Sequence, residues 1–203
     1  MIKLHATKKL LAKLPVNKEG YLPIDKVSSS SSSALSENPL SGWHANLITL
    51  QRRHCILMVH DTTRFPLFIT CLTKPDFANL NRHFEDAFMN TLLKLEANQQ
   101  QLDTAISYLN ELCVDSVCDR SVQGTINQMK GDIEHMLWFD SVDIADLSGY
   151  RTAVWLSDRP CTVKGLKDCI WPQVAMLDLL GECSTPDVVP NNVVHMKDYQ
   201  NDG

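Results

Sequence analysis

The order of apolar and polar side chains predicts a small β-sheet in the first third of the chain. Residues 2–7 alternate between apolar and polar side chains, which is typical of a half-buried strand. Three apolar runs rich in aromatic and branched residues follow at 43–50, 55–59 and 65–70, separated by polar turns, and they predict a β-meander. The run at 55–59 is apolar throughout, as in a strand covered on both faces. Pro66 favours an edge or a bulge for the last strand.

Apolar residues repeating every three or four positions predict three helices after the meander. Thr73–Asp76 matches a capping box with Pro75 in the first turn, and Asp119 caps the third helix. The three apolar stripes are Phe77, Leu80, Phe84, Phe88, Leu92 and Leu95; Leu102, Ile106 and Leu109; and Val122, Ile126, Met129, Ile133 and Met136. The weaker patterns predict a short helix at 8–14, a strand at 112–117, a strand at 150–156 and a helix from Trp171–Pro172 to Gly181.

These elements predict a single α+β domain over residues 1–160, with a small, mostly antiparallel sheet packed on one face by about three helices. Six consecutive serines, Ser28 to Ser33, mark a flexible insertion at about 15–42. Residues 161–203 are expected to form a short helix and a poorly ordered tail, because the end of the chain is polar and interrupted by proline.

The composition favours a globular cytoplasmic protein. Of the 203 residues, 44% are hydrophobic and 21% are charged, which argues against global disorder. No apolar run approaches the roughly 20 residues that cross a bilayer, and the basic segment 1–14 lacks the apolar centre of a signal peptide. Residues 1–60 hold eight Lys/Arg and three acids, a net +5, whereas the remainder carries −10. The basic N-terminal third therefore either faces nucleic acid or an acidic partner, or only keeps the protein soluble.

The cysteines indicate a reducing compartment. There are seven, an odd number, and none forms a CxxC pair, so a disulfide framework is not expected. Cys113 and Cys118 with a histidine are an alternative zinc site, but their spacing narrowly misses that of paired ligands. We expect no metal and no cofactor.

The third predicted helix carries a second face beside its apolar stripe. Arg120, Gly124, Asn127 and Gly131 are spaced by four, three and four residues, so they lie along one side. Helical glycine costs about 1 kcal/mol relative to alanine, and Arg120 in the first turn opposes the helix dipole. Either the glycines admit a neighbouring strand while Arg120 pairs with an acid, or the face, with Ser121, binds a ligand through a guanidinium suited to phosphate or carboxylate.

Two further segments supply candidate binding residues. Arg52 and Arg53 occupy the predicted turn of the first hairpin, where cationic side chains either grip phosphates or simply form a polar tip. Asn46 interrupts an apolar strand and needs hydrogen-bond partners if it is buried.

Two pairs are the best candidates for catalysis. His60 and Asp61 follow the second strand of the meander, and Asp132 and His135 lie one turn apart on the third helix. Each pair could share a proton or a metal, although such residues on an exposed helix side usually form a solvated face. The sequence has no phosphate-binding Gly-Lys-Ser/Thr loop and no GxGxxG, GxSxG or HExxH motif, which argues against several enzyme classes.

Three segments resemble the motifs of an uncharacterised bacterial family known only as a domain of unknown function. They are KLHATKKLLAKL at 3–14, GWHANL at 42–47 with the double arginine that follows, and DRSVQGTIN at 119–127. Asp119 stands where that family has asparagine, Gln123 where it has leucine, and the serine tract resembles an insertion. The resemblance covers about residues 1–160 and carries no activity. It implies a bacterial or mobile-element cytoplasmic protein whose polar motif residues are Asn46, Arg52, Arg120, Ser121 and Asn127.

Two functions from different classes fit these observations. The first is a non-catalytic binding or regulatory module that takes a protein, a nucleic acid or a small anion in a polar groove formed by Arg120, Asn127, Asn46 and Arg52. The second is an enzyme acting on phosphodiesters or nucleotides, in which Arg120 and Arg52 hold phosphate and a His/Asp pair handles the proton or a metal. The sequence leaves the oligomeric state open.

Overall fold

A five-stranded mixed sheet forms the centre of the computed structural model, which describes residues 1–23, 38–163 and 168–182. The strands are β1 (Ile2–Ala6), β2 (Trp43–Leu50), β3 (Arg53–His60), β4 (Pro66–Leu72) and β5 (Leu112–Asp115). Their order across the sheet is β4-β3-β2-β1-β5. The β2–β3 and β3–β4 ladders are antiparallel, and the shorter pairings of β1 with β2 and β5 are parallel. The predicted α+β class with a mostly antiparallel sheet is confirmed, and Pro66 begins an edge strand.

Seven helices occur in the described residues. They are α1 (Lys8–Leu11), α2 (Lys74–Ala78), α3 (Leu80–Lys94), α4 (Gln99–Tyr108), α5 (Arg120–Phe139), α6 (Gly149–Ser157) and α7 (Pro172–Glu182). Asp119 caps α5 as predicted, because its carboxylate accepts the backbone N–H of Ser121 at 2.6 Å and that of Val122 at 3.4 Å. The long helix predicted after Thr73 is divided at Asn79 into α2 and α3.

The first face of the sheet is covered by a continuous apolar core. We define this face by Leu4, Trp43 and Met58, whose side chains are all fully buried. Phe84 and Phe88 of α3 pack edge-on against the Trp43 ring at 5.3 and 5.9 Å between centroids. Residues of α4 and α7 join the same cluster, which extends from β4 to β5.

The second face of the sheet, defined by Cys55, Leu57 and Val59, is covered by α5 and α6. Helices therefore lie against both faces, whereas the sequence placed about three helices on one. The physical reason is visible in β3, where Ile56 and Met58 enter the first core and their neighbours enter the second. A strand apolar at every position needs cover on both sides. The strand residues in the second-face core come only from β2, β3 and β4.

The strand predicted at 150–156 is wrong, because these residues form helix α6. Ser148 caps the helix, and its Oγ accepts the backbone N–H of Arg151 at 3.5 Å. The buried residues Thr152, Ala153 and Leu156 are spaced as one side of a helix requires. The apolar run at 150–156 is too short to distinguish the repeat of a helix, every three or four residues, from the alternation of a strand.

Both ends of the predicted insertion pack on the domain. Tyr21 forms a β-bridge with Cys113, and the Gly20 carbonyl accepts the Val114 N–H at 2.8 Å. Leu22 and Leu40 belong to the first-face core. The serine tract lies outside the described residues, as does the end of the chain beyond Glu182, while α7 itself packs in the first-face core.

Candidate functional site

The second face of the sheet becomes polar where its apolar core stops. The strand register places Asp115 of β5 beside His5 of β1, and His5 beside His44 of β2, so the three side chains form a row across parallel strands. Asp61, just beyond β3, continues the ladder through its N–H to the Gly42 carbonyl at 2.8 Å. We call His5, His44, Asp61 and Asp115 the polar network.

Hydrogen bonds define the protonation of this network. His44 Nε2 accepts the Asp119 backbone N–H at 2.7 Å, so that nitrogen carries no proton, and Nδ1–H donates to Asp61 Oδ1 at 2.6 Å. His5 Nδ1 lies 2.6 Å from Asp115 Oδ1, while its Nε2 lies 3.6 Å from Asp61 Oδ2. His5 Nε2 is therefore the ring nitrogen of the network without a close partner among the described residues.

A buried arginine joins the polar network to the start of α5. Arg64 is 3% exposed, and its guanidinium donates to the Asp61 carbonyl and to Ser121 Oγ, the latter at 3.2 Å. Its Nε has no hydrogen-bond partner, and no carboxylate of the described residues lies within 4.0 Å of its nitrogens. Hydrogen bonds from the backbone N–H groups of Ser121 and Val122 lower the pKa of Asp119, and the positive charge of Arg64 acts in the same direction. The β3–β4 turn and α5 are thereby held together.

The donor set of the network suits a metal only in part. One donor atom each from His5, His44 and Asp61 lies within 4.8 Å of the others. However, both ring nitrogens of His44 already have hydrogen-bond partners. If Nδ1 bound a metal, Nε2 would have to carry the proton, but the backbone N–H of Asp119 points at Nε2 and leaves no room for it. Two free donors are fewer than the three protein ligands of an ordinary catalytic zinc site. The arrangement as it stands shares protons.

The alternative zinc site does not form among the described residues. Cys113 Sγ lies 3.7 Å from the Glu19 carbonyl, Cys118 is exposed, and neither belongs to a group of three potential ligands. The six cysteines in the described part of the chain are free thiols.

Two predicted binding residues lie beside the polar network. Ser121 contacts Arg64, as described above. Asn46 follows His44 on the same face of β2, and its Oδ1 accepts the hydroxyl of Thr7 at 3.2 Å. The side-chain oxygen of Asn46 thus has a hydrogen-bond partner in Thr7, the residue that follows β1.

Arg52 and Arg53 lie elsewhere. Gln51 and Arg52 form a two-residue turn with φ of 44° and 67°, and Arg53 pairs with Leu50. The turn is at the opposite end of β2 from His44, about 20 Å away at about 3.3 Å per strand residue. The polar groove that the sequence predicts from Arg120, Asn127, Asn46 and Arg52 is therefore not assembled as a whole, because Arg52 lies at the far end of the hairpin.

The predicted second face of α5 is exposed along its whole length. Arg120, Gly124, Asn127 and Gly131 all face solvent, and Trp138, 77% exposed, lies in line with Arg120 because about 18 residues make five turns. We call these five residues the exposed flank of α5. A Cβ at either glycine would meet no atom within 4 Å. The interpretation that these glycines admit a neighbouring strand is therefore wrong.

The four catalytic candidates are separated by the fold. Asp61 lies in the polar network, whereas its neighbour His60 is fully buried on the first face against Trp43, with ring centroids 5.0 Å apart. Asp132 binds Arg159 at 2.8 Å instead of His135, which stacks on Phe139 at 5.9 Å. The predicted Asp132–His135 pair is not formed, because each side chain has another partner.

Sequence reasoning missed four residues of the site: His5, His44, Arg64 and Asp115. The alternation of β1 and β5 does contain a signal, because His5 and Asp115 both lie on the polar side of half-buried strands. The parallel pairing that brings them together over 110 residues has no local signature.

The fold and the site define an α+β protein with helices on both faces of a mixed sheet and a proton-sharing network at one end of it. The chain belongs to the family described as a domain of unknown function, DUF6933, whose model matches residues 3–175. This confirms the resemblance seen in the three sequence motifs. No curated protein and no solved structure shows significant similarity to the chain. Among the described residues, no helix has both the length and the hydrophobicity of a membrane span.

Proposed function

We propose that this chain is a non-catalytic binding module that holds a protein partner along the exposed flank of α5. The observation that supports this proposal is Trp138, which is 77% exposed and followed by Phe139 at 71%. Adjacent, strongly exposed aromatic side chains are unusual on a protein surface that has no partner. Tryptophan and arginine are also the residues most enriched at binding hot spots, and the flank begins with Arg120.

The glycines of the flank support the same function. Gly124 and Gly131 have ordinary helical backbone and open space around them, so the fold itself does not require glycine there. Each costs about 1 kcal/mol of helix stability relative to alanine. An external partner that approaches the helix backbone closely gives a physical reason for both residues.

A protein fits this surface better than a nucleic acid. The flank carries one arginine at its start, the exposed Glu134 lies beside it near the other end, and residues 61–203 have a net charge of −10. Phosphate binding requires several cations on one surface. The exposed Arg52 and Arg53 lie at the far end of the β2–β3 hairpin, so binding of nucleic acid by the basic N-terminal third would use a different surface.

The proposal is tested by affinity purification from the native host with three baits: wild type, Trp138→Ala and the control Trp171→Ala. Trp171 is 48% exposed and lies outside the flank. The tagged baits are chemically cross-linked in the cells before purification, so that a weakly bound partner is retained. We expect one protein, either another host protein or the untagged chain, with wild type and the control, unchanged by nuclease treatment, and its loss with Trp138→Ala. Recovery of the same protein by all three baits, or of nuclease-sensitive material alone, would contradict the proposal.

An acid–base enzyme acting on phosphodiesters or nucleotides is the second candidate, and the geometry of His5 favours it. Asp115 orients the His5 ring through Nδ1, which leaves Nε2 beside Asp61 to accept a proton from an attacking water. Arg64, which donates to the Asp61 carbonyl, and the exposed Arg120, the neighbour of Ser121 in the chain, supply the positive charge for a phosphate group in this candidate. In this candidate Asp61 acts with His5 in proton transfer, whereas the sequence predicts that it acts with His60.

A generic substrate tests the second candidate. Purified wild type, His5→Gln and the exposed control His135→Gln are incubated with bis(p-nitrophenyl) phosphate, and release of nitrophenolate is followed against pH. The enzyme candidate requires turnover by wild type and the control, with at least about a hundredfold loss in His5→Gln, the scale of general acid–base catalysis. Equal rates in wild type and His5→Gln would refute it.

A further inference from the structure

We infer that the partner is a second copy of this chain, bound through two α5 helices packed antiparallel along their exposed flanks. This inference rests on the proposed function, because it uses the same surface. It adds the identity of the partner and the relative orientation of the two helices.

The inference follows from the symmetry of the flank about its own midpoint, which lies between Asn127 and Gln128. A two-fold axis there places Gly124 opposite the partner's Gly131, so the helix backbones approach where neither has a side chain. Two-fold interfaces require such self-complementarity, because each patch must fit its own copy.

Trp138 is covered at each end of the flank under the same axis. It is 77% exposed, and it lies three residues, about 4.5 Å along the axis, beyond the level of the partner's Arg120, so its ring reaches the start of the partner's α5. Each copy supplies one Trp138, so two large apolar side chains are covered for every dimer formed. Burial of apolar area is the main favourable contribution in most protein association.

Charge selects the antiparallel orientation. Arg120 lies at one end of the flank, and Glu134 lies beside the flank near its other end. In the antiparallel arrangement the partner's Glu134 is one residue, about 1.5 Å along the axis, from the level of Arg120, within reach of the two side chains. A parallel arrangement would place Arg120 against the partner's Arg120. Glu134 already has an exposed ion pair with Lys130 at 2.8 Å, but such a pair is worth at most about 1 kcal/mol and leaves the carboxylate accessible.

The size of the flank limits the affinity. The distance from Arg120 to Trp138 along the helix is about 27 Å at about 1.5 Å per residue. One pair of helices of this length covers less than the roughly 1,200–2,000 Å² of a standard stable interface. We therefore expect a concentration-dependent dimer with Kd between about 10 and 100 μM, far weaker than a nanomolar complex.

Analytical ultracentrifugation of the purified full chain between about 1 and 300 μM tests the inference. We expect wild type to shift from monomer to dimer over this range, and Trp138→Ala and Gly131→Leu to remain monomeric. Trp171→Ala and Gly181→Leu are matched controls that should still dimerise, since an added Cβ at Gly181 also meets no atom within 4 Å. Circular dichroism verifies that each variant is folded.

Charge reversal tests the orientation. Arg120→Glu and Glu134→Arg should each weaken the dimer about fivefold or more, and the double variant should recover most of the loss, because it restores the two ion pairs in reverse. Failure of the double variant to recover would overturn the antiparallel register. Monomeric wild type at every concentration, or a dimer unchanged by Trp138→Ala, would overturn the inference. If monomeric wild type still captures a host protein through Trp138, only this inference fails and the proposed function stands.

Discussion

The two faces of the sheet use neighbouring residues for opposite purposes. Trp43 and His60 point into the first face, where they pack on each other in an apolar core. The residues that follow them in the chain, His44 and Asp61, form a hydrogen bond in the polar network. The difference arises because successive strand side chains point to opposite faces. On the first face, helices cover the sheet from β4 to β5; on the second, the apolar core stops at β2. The hydrogen-bonded histidines and aspartates of the polar network lie where the apolar core of the second face ends.

The largest effect is expected from opening the first-face core. Trp43→Ala removes a fully buried side chain that packs on Phe84 and Phe88 and whose Nε1–H donates to the Leu40 carbonyl at 2.7 Å. We expect the free energy of unfolding in urea to fall by about 3–5 kcal/mol. Trp138→Ala, at an exposed position, should change the stability of the monomer by less than about 0.5 kcal/mol. A similar decrease in the free energy of unfolding for Trp43→Ala and Trp138→Ala would contradict the assignment of Trp43 to the core and Trp138 to an exposed surface.

The buried His60 should make stability depend on pH. Burial lowers the pKa of His60 to about 4 from its ordinary value near 6.5, and the positive charge of Arg64 acts in the same direction, while Asp61 opposes it. Above pH 6.5 the ring is neutral in both states. As the pH falls below 6.5, His60 becomes protonated in the unfolded chain but stays neutral in the folded protein until about pH 4. The free energy of unfolding therefore decreases by about 3 kcal/mol across this pH range.

His60→Gln isolates this contribution. Urea unfolding of wild type and the variant from pH 8 to pH 4 gives a difference curve in which the carboxylates and the other histidines largely cancel. We expect the variant to have the shallower pH dependence, with the gap between the two proteins narrowing toward pH 4. Parallel curves would show that His60 titrates normally in the folded protein.

A smaller loss is expected in the polar network. His44→Phe keeps most of the ring volume but leaves the Asp119 N–H and Asp61 Oδ1 without their partner at 2.7 and 2.6 Å. Unsatisfied polar groups cost about 1–3 kcal/mol, reduced here because Asp61 is partly exposed. His135→Phe, on the exposed side of α5, is the control. A change below about 0.5 kcal/mol for His44→Phe would indicate that the network does not stabilise the fold.

The smallest effect, and the only gain, is expected on the flank. Gly124→Ala and Gly131→Ala should each stabilise the monomer by about 1 kcal/mol, since alanine is the better helix former and has room. Gly149→Ala is the contrasting change, because its Cβ would lie 2.2 Å from the Phe68 carbonyl oxygen and must displace backbone. Thermal unfolding of dilute protein compares the three, and a loss of stability at Gly124 would contradict the open flank.

Local patterns predict most of the elements, whereas the site residues that the sequence did not reveal meet through long-range pairing. The capping of α5 by Asp119 and the edge position of β4 follow from properties of single residues, carboxylate acceptance and the missing N–H of proline. The apolar run of β3 indicates that both faces of the sheet are buried, whereas the predicted architecture has helices on one face only. The site was only partly predictable, because His5 and Asp115 meet through a parallel pairing of strands that lie far apart in the chain.

The position of β1 inside the sheet has a consequence for the order of folding during synthesis. Residues 2–6 leave the ribosome well before β5, their neighbour on one side, which is translated roughly a hundred residues later. The β2–β3–β4 meander needs only local hairpins and can assemble while that neighbour is still missing. Closure of the sheet is therefore a late step, and a chaperone that held residues 2–6 in extended form would keep the nascent chain open until translation had passed residue 115.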